Sequence, residues 1–261
     1  FFKQKTAYEI MSGDWSSDVC SSDLERRGGK NSPWTHASYE QINTRSQAFA
    51  AWLLARHIDK SRSVLILSGN SIAHAVIKYG AMAARVPACP VSVNYALMGG
   101  DYGRLKHVIQ LVKPAVVFAE QTALYKKALE SVDFGDAAVI TDNPGEIARL
   151  VGSGEVYATT EVLATAITAA VAESIESIEP DEPTLYMLTS GSTSLPKAVI
   201  QTQRMLASNL AQGQQVLGSP LVIHCVAEAS HSGAVSSQHN FRGPQSVLAD
   251  DGAAIQALGS F

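Results

Sequence analysis

Between Leu188 and Val199 the chain reads LTSGSTSLPKAV, where Thr189, Ser190, Ser192, Thr193 and Ser194 supply five hydroxyls, Gly191 a bare backbone and Lys197 one amine. Hydroxyls donate and accept hydrogen bonds, a glycine lets backbone amides approach a ligand closely, and lysine adds a mobile positive charge. That combination suits a polyphosphate. Charge-assisted hydrogen bonds to phosphate contribute ~1.5–3 kcal/mol each, so a few of them anchor a nucleotide without any broad basic surface. The competing reading is a Ser/Thr-rich surface turn, because Ser, Gly and Pro favour turns for conformational reasons alone.

Neighbouring motifs narrow the choice. A Walker-type loop, G-x4-G-K-S/T, counted from Gly191, would need a second glycine where Pro196 stands and a hydroxyl where Ala198 stands, which argues against a mononucleotide fold of that kind. Ser194-Leu195-Pro196-Lys197 satisfies S-x-x-K, the nucleophile motif of penicillin-recognising serine enzymes. No S-D-N or K-T-G follows it, and the S-x-N form Ser68-Gly69-Asn70 comes before it.

The elements that must position this loop alternate. Ser38 and Gln41 form a capping box ahead of apolar residues at helical spacing, Tyr39, Ile42, Phe49, Trp52 and Leu53, predicting a helix over 39–57. SVLILS (63–68) reads as a buried strand, and Ser71 caps a helix over 72–84. ACPVSV near 88–93 reads as a strand, Asp101 opens a helix carrying Leu105, Val108, Ile109 and Val112, and Pro114 ends it before the strand AVVFA. A helix over 123–132, the strand AAVIT, a weaker helical stretch over 161–174 and the strand TLYMLT (184–189) follow. Strands joined by helices of this length predict an α/β fold, a doubly wound, mostly parallel sheet covered on both faces. Ligands of such sheets sit beyond the carboxyl ends of the strands, and the hydroxyl-rich loop leaves the end of TLYMLT.

Composition excludes several classes. The 20 Lys and Arg are outnumbered by 24 Asp and Glu, net charge −4, which leaves no basic surface for nucleic acid. No apolar run reaches the ~20 residues that span a bilayer, so no membrane partner is expected. The three cysteines, Cys20, Cys89 and Cys225, are far apart, fitting a reducing cytoplasm, with Cys89 a buried spectator. His224, Cys225, His231 and His239 crowd the tail, yet their spacing lacks the short pairs a zinc site uses, so no metal ligands are assigned. Asn70, His74 and His107 read as solvated or packing residues. Nothing in the sequence specifies an oligomeric state.

The two ends differ from the middle. Residues 1–24, FFKQKTAYEIMSGDWSSDVCSSDL, have no sustained periodicity. KQKTAYEI and DWSSDVCSSDL resemble the conceptual translation of a sequencing-library adapter, so this segment is expected to be adapter-derived and non-native. Residues 218–261 are expected to be an uncertain tail, out of frame or damaged, after a domain over 25–217.

LTSGSTSLPKAV resembles the phosphate-binding signature of the acyl-adenylate-forming (AMP-binding) enzymes, T-S-G-S/T-T-G-x-P-K-G-V after an aromatic residue or leucine. QTQRMLASNLAQ, ILSGNSIAHA, CPVSVNYAL and LKHVIQLVKPAVVFA are similar to stretches of feruloyl-CoA synthases, and the likeness runs from Trp34 to Val216. The resemblance implies an incomplete N-terminal part of an adenylate-forming large domain. The intact parent would join a small-molecule carboxylic acid to coenzyme A by way of ATP, with Mg2+ accompanying the nucleotide. Thr189, Ser190, Ser192 and Thr193 would donate to the phosphates, Gly191 would permit close approach, and Lys197 would neutralise the departing pyrophosphate. No catalytic residue is identified in this segment, and the chain alone is expected to be inactive. Ser194 and Ala198 replace family glycines; at a positive φ either side chain would cost ~1–2 kcal/mol and impair phosphate recognition. His231 and HNF (239–241) echo a family segment with altered spacing and receive no role. The rivals are a stand-alone ATP-binding module and, from the S-x-x-K motif, an acyl-serine enzyme.

Overall fold

The computed structural model describes residues 23–26, 34–98, 100–189, 195–209 and 246–248. A small sheet comes first: β1 (Asp23–Arg26) pairs antiparallel with β2 (Trp34–Ala37) and parallel with β10 (Ser246–Leu248). β1 therefore straddles the boundary at residue 24 expected from the adapter-like sequence of residues 1–24.

Helix α1 (Tyr39–Leu54) begins at Ser38 with both halves of the capping box formed: Gln41 N–H donates to Ser38 Oγ at 3.1 Å, and Ser38 N–H donates to Gln41 Oε1 at 2.9 Å. β3 (Ser63–Leu67) is buried throughout, and α2 (Ile72–Ala83) starts where Ser71 Oγ accepts from His74 N–H. β4 is shorter than its apolar run suggests, Ala88–Pro90, although Val91 N–H still donates to Ile66 O at 3.0 Å. A short α3 (Asn94–Leu97) and α4 (Gly103–Val112) follow, with Asp101 Oδ1 accepting from Gly103 N–H at 3.0 Å. Then come β5 (Pro114–Ala119), α5 (Thr122–Leu129) and β6 (Ala138–Thr141). β7 (Val156–Ala158) has no counterpart in the sequence reading, and the stretch expected as one helix over 161–174 is two, α6 (Thr159–Val162) and α7 (Ala169–Glu176). β8 (Pro183–Thr189) and β9 (Lys197–Thr202) complete the large sheet.

Its order is β7-β6-β5-β3-β4-β8-β9, parallel except for the β8–β9 hairpin. Alternation along the strands divides the core into two layers. Val64, Ile66, Val116, Phe118 and Ile140 face α1, α2 and α7, whereas Leu65, Leu67, Val117, Ala119 and Val139 face α3, α4 and α5. The fold is thus the α/β, doubly wound, mostly parallel sheet anticipated.

One ion pair fixes the approach of β8. Arg85, just past α2 with φ 60°, forks onto Glu182, the residue before β8; Nε donates to Oε2 at 2.8 Å and Nη2 to Oε1. Burial opposes ionisation of the Glu182 carboxyl, but Arg85 and Lys60 outweigh it and hold the group below the usual range. On the neighbouring layer Gly80 lets α2 cross α1 closely: a Cβ there would stand 2.5 Å from Ser46 O and 2.8 Å from Phe49 Cδ1.

Candidate functional site

The hydroxyl-rich loop joins two hydrogen-bonded neighbours in the sheet. Thr189, last in β8, is the register partner of Lys197, first in β9, and Thr189 Oγ1 donates to Lys197 O at 3.4 Å. Both side chains are exposed at the carboxyl end of β8. The neck of the loop is therefore closed. Ser190, Gly191, Ser192, Thr193 and Ser194 lie outside the described residues, as do Cys20, Cys225, His224, His231 and His239. Of the six residues assigned to phosphate, the structure brings Thr189 and Lys197 together.

Lys197 takes part in none of the ion pairs among the described residues, so no described carboxylate competes with an anionic ligand for its amine. Ala198 follows it in a regular strand opposite Leu188 and packs, half-buried, against the α3–α5 layer. Among the described residues other than glycine, a positive φ occurs at His57, Arg85, Tyr102 and Lys113 only. The strain penalty anticipated for a side chain at position 198 is therefore absent.

Two histidines given no role by the sequence are engaged. His74 is buried beyond the end of β3, with Nδ1 2.6 Å from Ser68 Oγ. Burial, reinforced by the nearby positive charge of Lys78 and only partly opposed by a backbone hydrogen bond at Gly69, lowers its pKa from 6.5 to about 3. The ring is neutral near pH 7 and belongs to the packing, as expected. His107, on α4, instead reaches the loop: its Nε2 lies 3.0 Å from the carbonyl oxygen of Pro196. Sequence reasoning missed this contact because its acceptor is a backbone atom, which no residue pattern reveals.

Cys89 is a free buried thiol whose pKa burial pushes up to about 12, an inert spectator. Among the described residues no group of three or more His, Cys, Asp or Glu is arranged to hold a metal. No helix among them is long and apolar enough to cross a membrane.

The described residues form a mostly parallel α/β sheet whose edge hairpin, β8–β9, lies at the carboxyl end of β8. Residues 23–241 match the AMP-binding enzyme family, and the chain belongs to it. Family membership sets aside the acyl-serine reading of Ser194 to Lys197. No curated protein is significantly similar to the chain in sequence. Among solved structures it is similar to a fatty acyl-adenylate ligase from L. pneumophila in complex with acyl adenylate and pyrophosphate, with TM-score 0.56 and 18% identity over 80% of this chain and 32% of that one. VinN in complex with 3-methylaspartate gives TM-score 0.57 and 19% identity over 83% of this chain and 52% of that one. A benzoate CoA ligase from Burkholderia xenovorans LB400 gives 0.56 and 15% over 80% and 36%. These likenesses establish the shared fold. The chain spans about a third to a half of the length of these proteins.

Proposed function

We propose that this chain carries the phosphate-holding part of an ATP-dependent acid:CoA ligase of feruloyl-CoA synthase type, acting on an aromatic carboxylic acid in the cytoplasm. In that reaction a carboxylate oxygen bonds to the α-phosphorus of ATP as pyrophosphate leaves, and the sulfur of coenzyme A then bonds to the acyl carbon as AMP leaves. Thr189, Ser190, Ser192 and Thr193 donate to the β- and γ-phosphate oxygens, Gly191 lets the backbone close on them, and Lys197 balances the charge that grows on pyrophosphate. Mg2+, if bound with the nucleotide, would supply further charge neutralisation. The observation that carries this reading is the closed neck: in a member of the AMP-binding enzyme family, Thr189 and an unpaired-by-carboxylate Lys197 stand side by side where the hydroxyl-rich loop begins and ends.

The chain binds ATP without completing the reaction, on this reading. Calorimetry with magnesium and ATP on the 261-residue chain tests the first half, and saturable binding is expected. A hydroxamate assay with ferulate, ATP and hydroxylamine tests the second. Absence of ATP binding overturns the proposal, and turnover at a full-length ligase's rate overturns the inactivity of the chain.

A further inference from the structure

Pro196 is buried although Leu195 and Lys197 on either side of it are exposed. It has no N–H, so its carbonyl is its one backbone hydrogen-bonding group. That oxygen meets His107 Nε2 from a helix 89 positions earlier in the chain. A carbonyl oxygen can only accept, so Nε2 carries the proton, and both the neutral tautomer protonated there and the doubly protonated ring make the bond. The helix and the hairpin are docked independently of it: Leu105, Val108 and Val112 lie in the same core layer that Leu188 and Ala198 pack against. Apolar contact is non-directional, whereas the hydrogen bond fixes where the peptide joining Pro196 to Lys197 sits.

We propose that His107 is a positioning residue for the phosphate loop: by donating Nε2–H to Pro196 O it holds the loop's exit, so that the Lys197 amine and the Thr189 hydroxyl address the same polyphosphate. The inference rests on the phosphate reading given above. Holding the Pro196–Lys197 peptide in place before a ligand arrives lowers the conformational freedom lost on binding, and that saving appears as affinity. One neutral hydrogen bond of ordinary strength corresponds to roughly fivefold in binding.

The test compares the 261-residue chain with its His107→Leu and His107→Gln variants, titrated with Mg-ATP and with inorganic pyrophosphate. His107→Leu is expected to weaken both by about fivefold. His107→Gln, whose side-chain amide can reach the same carbonyl, is expected to recover most of the loss, and the two variants are expected to melt alike. Affinity in His107→Leu equal to that of the unaltered chain, or no recovery in His107→Gln, overturns the proposal. Hydrogen exchange at the amides of Lys197 to Val199 separates the two readings. If the unaltered chain binds neither ligand, the phosphate reading fails; unchanged exchange in His107→Leu then overturns the clamp as well, whereas faster exchange confined to these amides retains it as a constraint on the hairpin.

Discussion

Replacing Ala198 by glycine, the residue the family signature carries there, is expected to destabilise the protein and leave ATP binding no tighter. Ala198 sits in β9 opposite Leu188 without a positive φ, and its methyl is half-buried against the α3–α5 layer. Glycine in a strand costs roughly 0.5–1 kcal/mol in backbone entropy relative to alanine. Losing a half-buried methyl adds about 0.4 kcal/mol, half the value of a fully buried CH2. The sum, about 1–1.5 kcal/mol, corresponds to a melting temperature lower by roughly 2–6 °C for a chain of this size. Thermal unfolding of the 261-residue chain and of Ala198→Gly, each paired with Mg-ATP calorimetry, gives both readouts. Were Ala198→Gly as stable as the parent and a tighter ATP binder, the alanine would be a strained replacement after all, and the placement of Ala198 in a regular strand would be refuted.

Lys197→Met removes the amine from an exposed position; ATP affinity is expected to fall about 10- to 150-fold, the equivalent of ~1.5–3 kcal/mol, with stability within about 0.5 kcal/mol of the parent. Equal affinity in a titration of the variant would remove the lysine from the phosphate site. Gly80→Ala would push a methyl into Ser46 O and Phe49 on α1, costing roughly 1–3 kcal/mol as α1 and α2 separate; an unchanged urea midpoint would contradict the close helix crossing. His74 gives a pH dependence of definite sign. Its folded pKa lies far below the ordinary 6.5, so below that pH the unfolded chain takes up a proton that the folded chain refuses until about pH 3. Stability therefore falls with acid by up to about 1.4 kcal/mol per pH unit below pH 6.5, and His74→Asn should flatten the slope. A urea-stability profile for the parent that stays level from pH 6.5 to roughly pH 5 would rule this out.

What the sequence discloses depends on whether a feature is written in residue types. The caps at Ser38 and Ser71 are, because a hydroxyl side chain satisfies an orphan amide, and both helices start where these residues stand. The buried strands β3, β5 and β6 are as well, because apolar β-branched runs cannot be left in water. β7 escaped notice because Val156–Ala158 is three half-buried residues with no alternation to read. The expected helix over 161–174 breaks where Thr165 Oγ1 turns back to the Val162 carbonyl at 2.8 Å, a competing side-chain contact that helical periodicity does not reveal. The composition of the candidate site was legible, but five hydroxyls, a glycine and a lysine also suit a surface turn, and the resemblance of LTSGSTSLPKAV to a family signature was what favoured phosphate. Its neck was not, because the Thr189–Lys197 pairing is a backbone register and the His107 contact ends on a backbone oxygen.

The hairpin accounts for that composition. In a strand–loop–helix phosphate site the first turn of the helix offers free N–H groups and the positive end of its dipole, so few side chains are needed. Here the loop exits into β9, an antiparallel edge strand paired with β8, and not into the first turn of a helix. No helix begins at the loop's exit to supply a field. On the proposed phosphate reading the charge complement comes from a side chain, Lys197, and the donors from hydroxyl side chains. A phosphate loop built between two paired strands therefore calls for a denser run of serine and threonine than one built onto a helix, and the composition of LTSGSTSLPKAV supports the proposed reading on that ground.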